Sequence, residues 1–510
     1  MDTTAHTSPT CRTDLDALIA LCNTMLTHLR TSADGPPMVL KPLDDWQKKA
    51  ENLSHSRALE TLSGERKLEA LIMELRHHWL CAVHGRSDRY LMTPPQTQIK
   101  YLPDGERVNY PYDRRLKPQH LERRLSEASP TPKNWHKQSL VFASAMAAIT
   151  TFLQAYRGLA PQWMKELSGS LSLHWWGGYF EIGKALQLIC DQRFVGRKHA
   201  DQAGLHKHIR QGQTDLIMVE PVAAKLELDV FDLDGFVEAW ENRKSQRPAT
   251  ILVDTSMMGD AFSMADFCRR LNANPPALIV EVRSGLKLDQ QGLELSNAGL
   301  MNLWVPEGSK SEELLKEITR GLQICRTTLG TALSFNELAA LQAPLFLDTE
   351  LLSTHTDAVF SANRQFAQSL NPLIKPDTGL FDAVFHPSLE PHPERPWAQS
   401  PIVYLRYRPD DDSGRAFLNN VLDFESHRRK LCFWSASSFG FRSHRYEMGY
   451  GRGIRYNTMR VAMGSRQGPS FDGVVTLFQE LAGYSDFQAL RNAYPEVSTR
   501  ITPDQRDDDA

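Results

Sequence analysis

ALIVEVRSGLK (277–287), read together with ILVDTS (251–256), decides the fold. Each stretch contains a short apolar run, Leu278 to Val282 in the first and Ile251 to Val253 in the second. Runs this short, bounded by turn or helix signals, fit strands buried in a parallel sheet. Leu140 to Ala143 and Leu216 to Val219 repeat the pattern upstream, with helical stretches between them. Strand and helix in alternation predict an α/β domain with a mostly parallel sheet. In open sheets of this kind ligands bind beyond the carboxyl ends of the strands. The residues that follow each run are therefore the ones to inspect.

After the first run, Ser144-Ala145-Met146-Ala147-Ala148 opens a helix expected to reach about Gly158. Small residues there let a phosphate approach the N–H groups of a helix N-terminus. The third run ends at Asp254, a carboxylate that could bind a metal, cap a helix or face a cationic ring nitrogen. The fourth is followed by Arg283-Ser284-Gly285-Leu286-Lys287. Alone, a lysine in that place is an ordinary solvated side chain. A phosphate-cradling helix start, an acid at one strand end and a lysine beyond the next are together the parts that pyridoxal phosphate requires. The helix start fixes the phosphate, and the acid keeps the pyridine nitrogen protonated so that the ring accepts electrons. The lysine forms the internal Schiff base and later moves protons.

At 510 residues the chain is too long for a single core, so two or three domains are expected. Residues 1–105 read as a helical N-terminal extension. One apolar stripe runs through Leu15, Leu18, Ile19, Cys22, Leu26 and Leu29, with Thr13 and Asp16 as a candidate cap. A second runs through Leu68, Leu71, Ile72, Leu75 and Trp79 and stops near Gly85. Residues 106–335 form the large α/β domain, left by a helix with Leu315, Ile318, Leu322 and Cys325 on one face. Residues 336–500 read as a smaller α+β domain with strands in IVYLRYR (402–408) and TMRVAMG (458–464). The acidic tail 501–510 is expected to be disordered.

The composition, 41% hydrophobic and 23% charged with a net charge of -3, is that of a soluble globular protein and gives no reason to expect nucleic acid or anionic membrane as a partner. The basic run from Arg114 to Arg124 is interleaved with Leu116, Leu121 and Leu125 and reads mostly as the solvated side of a helix. Seven cysteines without a C-x-x-C pair argue against a disulfide framework and a zinc site, and for a reducing compartment. His77 and His78 are adjacent, so on a helix they diverge by about 100° and cannot grip one ion; no metal is expected. There is no signal-peptide pattern at the N-terminus and no apolar stretch near the ~18 residues of a membrane span. Cytoplasm is the expected location.

Taken in order, these motifs resemble the cystathionine γ-synthase, γ-lyase and β-lyase group of fold-type-I pyridoxal-phosphate enzymes, over roughly residues 108–490. YPYDRRLKPQHLERRLSEASP (110–130) is similar to the family's Y-S-R-x-x-N-P-T-x-x-x-L-E segment, with Tyr112, Arg114 and Pro118 on its Tyr, Arg and Pro. That implies a Tyr112–Arg114 pair reaching the phosphate of a neighbouring subunit. VFASAMAAI (141–149) resembles the F-A-S-G-M-A-A phosphate loop, carried here by Ser144, Ala145 and Met146. WWGGYFEI (175–182) resembles Y-G-G-T, which implies Trp176 over the cofactor ring. Asp254 matches the pyridinium partner, Ser284 and Lys287 the ends of S-x-T-K, and Arg460 the arginine that clamps the substrate α-carboxylate. Ser438-Phe439-Gly440 resembles a Ser-Leu-Gly segment of the substrate pocket.

Several positions depart from the pattern. Ala145 replaces a glycine, Leu286 stands where threonine would supply a phosphate hydroxyl, and tryptophan at 176 cannot transfer protons as the family's tyrosine does. VEPVAAKLELD (219–229) lacks the asparagine that hydrogen-bonds the cofactor's phenolic oxygen. Arg442, His444, Arg445, Arg452, Arg455 and Arg460 crowd residues 438–460, as an extra anionic group on the substrate or ordinary surface pairing would both require. Gly449, Gly451 and Gly453 lack a strand-to-helix context for a nucleotide loop and read as a loop that could close over substrate.

The resemblance implies an aspartate-aminotransferase-like fold and a homodimer or homotetramer with shared active sites. It also implies elimination or replacement at Cγ, or Cβ, of an amino acid after α-proton abstraction; the N-terminal extension and the substituted pocket point to a specialised biosynthetic pathway. An aminotransferase or decarboxylase, or a non-catalytic member of the fold, are the alternatives.

Overall fold

The computed structural model describes residues 10–497 except 32–39, 87–90, 96–99, 103–106, 168, 246, 391, 393, 409–411 and 451–456. The expected acidic tail and most of the glycine loop, with Arg452 and Arg455, lie outside the described residues. Three helices come first: α1 (Cys11–Thr31), α2 (Lys41–Ser54) and α3 (Leu62–Arg86). A hairpin of β1 (Lys100–Tyr101) and β2 (Arg107–Val108) and helix α4 (Gln119–Ala128) follow. The α/β unit then runs β3 (Trp135–Phe142), α5 (Ala145–Trp163), β4 (Leu171–Trp176), α6 (Phe180–Ile189), β5 (Phe194–Lys198) and α7 (Gln202–Gln211). It continues through β6 (Leu216–Val219), α8 (Leu233–Glu241), β7 (Thr250–Asp254), α9 (Met264–Arg270), β8 (Leu278–Ser284), β9 (Gly299–Pro306) and α10 (Ser311–Leu329).

These strands form one seven-stranded sheet in the order β3-β9-β8-β7-β6-β4-β5. Only β9 runs antiparallel, between β3 and β8; the pairs from β8 through β5 are all parallel. Alternate residues of each strand feed two cores, as a pleated sheet covered on both faces requires. Leu171, Leu173 and Trp175 pack with α5, whereas Trp176, Ile217 and Val253 pack with α8 and α9. The first strand starts at Trp135, five residues ahead of the run expected from Leu140, because it pairs with β9 along its whole length (Trp135↔Pro306 to Phe142↔Gly299).

Helix α11 (Phe335–Ala340) and the long α12 (Thr349–Leu370) lead to the C-terminal unit. There β10 (Phe381–Phe385), β11 (Val403–Tyr407), β12 (Phe433–Ser435), β13 (His444–Tyr450) and β14 (Asn457–Ala462) form a five-stranded sheet in the order β10-β11-β14-β13-β12. Helices α13 (Asp412–Arg429), α14 (Pro469–Ala482) and α15 (Phe487–Ala493) complete it. Phe366, Phe381, Phe433 and Phe478 meet in its core.

The N-terminal helices dock on the same chain. Their apolar stripes close over Leu293, Leu295, Ala339 and Ala340, and the Trp79 indole donates to the Ala340 carbonyl at 3.0 Å. Helix α1 begins two residues before the expected cap: Thr13 is already helical, and the Thr10 hydroxyl accepts its N–H at 3.5 Å. Helix α5 runs past Gly158 to Trp163 and tolerates Pro161 near its end. Arg114 and Arg115 sit on a short 3-10 turn ahead of α4 rather than on the helix, while Leu121 and Leu125 are buried beneath it. All seven cysteines are free. Among the described residues no helix is long and apolar enough to cross a membrane.

Candidate active site

The carboxyl ends of β3, β4, β6, β7 and β8 bring the candidate residues to one rim of the sheet. Ser144 caps α5 with extended backbone, and its hydroxyl accepts the Ala147 N–H at 3.0 Å. Ala145 and Met146 therefore stand in the first turn, where N–H groups have no partner within the helix. The turn is held close to β9 by Gly299: a Cβ there would collide with the Ser144 carbonyl. Gly299 follows Ala298, whose carbonyl accepts the Gly285 N–H at 2.9 Å, two residues before Lys287. A short run of backbone thus ties the helix start to the lysine.

Lys287 follows β8 with its Nζ 4.0 Å from the centre of the Phe439 ring and 5.9 Å from that of Tyr179. Among the described residues it makes no hydrogen bond or ion pair. Burial lowers its pKa to about 8; the charge of Asp254 works in the opposite direction, and Arg460 adds to the lowering. Asp254 ends β7, buried, and accepts the Ser256 N–H at 2.9 Å. Burial raises its pKa, against hydrogen bonds from Ser256 and the Lys287 charge. Ser256 also accepts the Ser284 N–H on its hydroxyl at 3.0 Å, which fixes the ends of β7 and β8 to each other.

The segment 438–442 forms the opposite wall. Ser438 is held at a φ of 74°, in the left-handed region unusual for a side-chain-bearing residue. Its hydroxyl is buried without a hydrogen-bond partner. Gly440, at a φ of 83°, lets the segment press on the lysine: a Cβ there would lie 3.0 Å from the Lys287 carbonyl carbon. The His355 imidazole bonds the Gly440 carbonyl at 2.9 Å from α12. Arg460 lies on β14 opposite Glu447 of β13, and the two form an ion pair.

Trp176 sits at the end of β4, fully buried, with its ring 5.7 Å from Phe231 in the core on the α8 side. The aromatic ring beside Lys287 from this strand end is Tyr179. Its hydroxyl donates to Glu181 at 2.6 Å, and burial, Glu181 and the charge of Asp254 all raise its pKa. Glu220, just beyond β6, shapes this loop: its carboxylate accepts N–H groups of Gly178 (3.0 Å), Tyr179 (3.0 Å) and Ala224 (2.7 Å). Gly177 and Gly178 leave no room for a Cβ against Glu220 and Ala224, so the loop can close only with glycine there. Burial and the neighbouring Asp254 raise the Glu220 pKa to about 7. Tyr179, Glu181 and Glu220 were not among the sequence candidates. The strand-end rule that selected Asp254 would also have selected Glu220.

Tyr112 and Arg114 lie on the turn before α4, half-buried and exposed respectively, with the Arg114 guanidinium 5.8 Å from the Tyr112 ring centre. Arg114 runs past Gly330 at the end of α10. No described contact joins this pair to Lys287 within the chain.

The sheet order, the single antiparallel strand and the small second sheet define a fold shared with solved lyases and synthases of sulfur amino acids. The apo methionine γ-lyase of Micromonospora echinospora matches with 18% identity over 79% of this chain and 98% of its own, at a TM-score of 0.52. The cystathionine γ-lyase of yeast matches with 15% identity over 78% and 93%, also at 0.52. A cystathionine γ-synthase of Xanthomonas oryzae pv. oryzae, solved with aminoacrylate and cysteine, matches with 17% identity over 80% and 98%, at 0.50. No family model and no curated protein matches the chain.

Proposed function

We propose that the chain is a pyridoxal-phosphate-dependent enzyme of amino acids, with Lys287 as the point of attachment. The observation that carries this reading is the state of Lys287: a desolvated amine with a pKa of about 8, beside Asp254 at the neighbouring strand end. A nucleophilic lysine reacts in its neutral form, and burial raises the share of that form near neutral pH. The surroundings fit the cofactor. The first turn of α5 offers N–H groups to a phosphate, Asp254 an acid to a ring nitrogen, and the partnerless Ser438 hydroxyl a contact still to be made. When bound, the cofactor supplies an electron sink for charge developing at the substrate α-carbon.

The chain's own groups do the rest. Lys287 would take the proton from the substrate α-carbon on its Nζ. Tyr179, its ring centre 5.9 Å from the amine, is our candidate for the ring-facing aromatic, in place of Trp176. Its phenol, bonded to Glu181, is positioned to give a proton to a departing group. Arg460 accepts the substrate carboxylate when Glu447 yields it. Elimination or replacement at Cγ, or at Cβ, is the reaction we favour, because the solved structures sharing the fold at a TM-score of 0.50 or more include γ-lyases and a γ-synthase. Tyr112 and Arg114 would then serve a neighbouring subunit of a homodimer or homotetramer. A role in a specialised biosynthetic pathway accords with the substituted pocket.

Titration with pyridoxal phosphate, followed by product analysis over a panel of amino acids, tests the proposal. A visible chromophore and release of keto acid with ammonia are expected. Carbon dioxide as the product would move the reaction to decarboxylation, and absence of any chromophore would leave a non-catalytic member of the fold.

A further inference from the structure

Away from the rim, three histidines from three elements converge on the α7 side of the sheet. His174 lies on β4, His199 just after β5, and His208 on α7. One ring nitrogen of each can be chosen so that all three lie within 4.8 Å of one another. His174 and His199 are buried, and His208 is half-buried. The His174 and His199 rings are nearly parallel, with centres 5.1 Å apart, and His174 Nδ1 and His199 Nε2 share a hydrogen bond at 2.8 Å, which an ion between them would replace. Ligand nitrogens about 2.0–2.1 Å from a tetrahedral zinc ion stand roughly 3.3 Å apart. The pair needs to open by about half an ångström to fit such an ion, and the three nitrogens, within 4.8 Å of one another, to draw in by up to about 1.5 Å.

The outer nitrogen of His174 is held as a metal site requires. The His174 imidazole is hydrogen-bonded to the backbone at Gln213, which leaves Nδ1 for the centre. His199 turns its Nδ1 towards Gly204, where a Cβ would come within 3.2 Å, so its Nε2 is the inward atom. His208 has no such outer bond: its Nδ1 is buried without a partner, and Nε2, the atom that Arg197 bonds, is the one taken as ligand. Fixing a ring by a bond from its other nitrogen is what orients histidine ligands. One group opposes occupancy: the Arg197 guanidinium bonds His208 Nε2 at 3.1 Å, but it is an exposed side chain on the edge strand β5 and can swing away.

We infer that His174, His199 and His208 form a site for one divalent transition-metal ion of the zinc class, with water in the fourth position, which clamps β5 and α7 to β4. Imidazole donors select zinc, cobalt, nickel or copper over magnesium or calcium, which prefer oxygen. The site shares no residue with the rim around Lys287, and its test does not depend on turnover. Spacings of 25 and 9 residues resemble no local metal motif, which is why only the folded chain brings the rings together.

The test is Co2+ binding to the full chain after chelator treatment, read by metal content and by the visible bands of imidazole-bound cobalt. One ion per wild-type chain is expected, with affinity lowered at least about tenfold in both His199→Gln and His208→Gln and unchanged in His427→Gln, an exposed control. Arg197→Gln should bind more tightly, since a competing cation is removed; it alters only an exposed side chain and decides the matter if His199→Gln misfolds. Failure of the wild type to retain cobalt would overturn the inference. So would retention that is equal in His208→Gln, or binding that is no tighter in Arg197→Gln.

Discussion

Arg466 and Lys287 are both cations withdrawn from water, and their surroundings differ completely. Arg466 is fully buried in the C-terminal unit and meets three carboxylates of the N-terminal helices: Glu65 at 3.0 Å, Asp14 at 3.1 Å and Glu69. Asp14 also pairs with Arg442, whose Nε donates to the Gln291 carbonyl at 2.9 Å, and Glu65 accepts the Ser470 N–H at 2.7 Å. Those acids raise the Arg466 pKa well above its ordinary value despite burial. Lys287 has aromatic faces instead of a bonded acid, and its pKa falls. The first arrangement has settled its charge and fastens one part of the chain to another. The second leaves charge unsettled, the condition in which a side chain reacts.

The contrast can be broken from either side, and the largest effect is expected at the lysine. Lys287→Ala should lower turnover roughly 10⁴-fold or more, since attachment and proton movement go together. Stability should respond in the opposite sense. A lysine whose folded pKa is depressed to about 8 binds fewer protons folded than unfolded between that value and 10.5, so unfolding free energy rises with pH across this window. Lys287→Met should therefore be more stable than the parent at pH 7 in denaturant titrations, with the advantage fading as pH rises from about 8.

Arg466→Ala should cost about 3–5 kcal/mol, because it leaves Glu65 and Glu69 without their cation and Asp14 with Arg442 alone; chemical denaturation measures this. Glu220→Gln comes next. It keeps the shape but replaces an accepting oxygen with an N–H donor facing the loop 177–179, so a loss of about 1–3 kcal/mol in transition-state stabilisation is expected in kcat/KM. The smallest effect should come from the exposed pair Arg30–Asp44, 2.7 Å apart at the surface. Asp44→Asn should change stability by less than about 1 kcal/mol.

The two regions also differ in how far they could be read from the chain. Asp254 and Lys287 follow apolar runs that announce their strands, so their meeting at one rim needed only the rule for parallel sheets. The mostly parallel α/β architecture followed from the same runs. Strands β4, β5 and β9 were not anticipated. In β4, LSLHWW sets Ser172 and His174 between apolar residues; β5, FVGRK, is a largely exposed edge; β9 carries Asn302, a polar residue buried through bonds to Ser139 and Glu281. Tyr179 could not be placed because its position depends on Glu220, 41 residues away, drawing the loop inward. The Arg466 network was out of reach for the same reason: its acids come from helices about 400 residues earlier, a separation no local pattern bridges.

Borohydride reduction of the chain with pyridoxal phosphate, followed by peptide mapping, tests the central assignment most directly. A single pyridoxyl group on the peptide containing Lys287, absent from the Lys287→Ala variant, is the predicted result. A label on another lysine, or an unchanged chromophore in that variant, would contradict it.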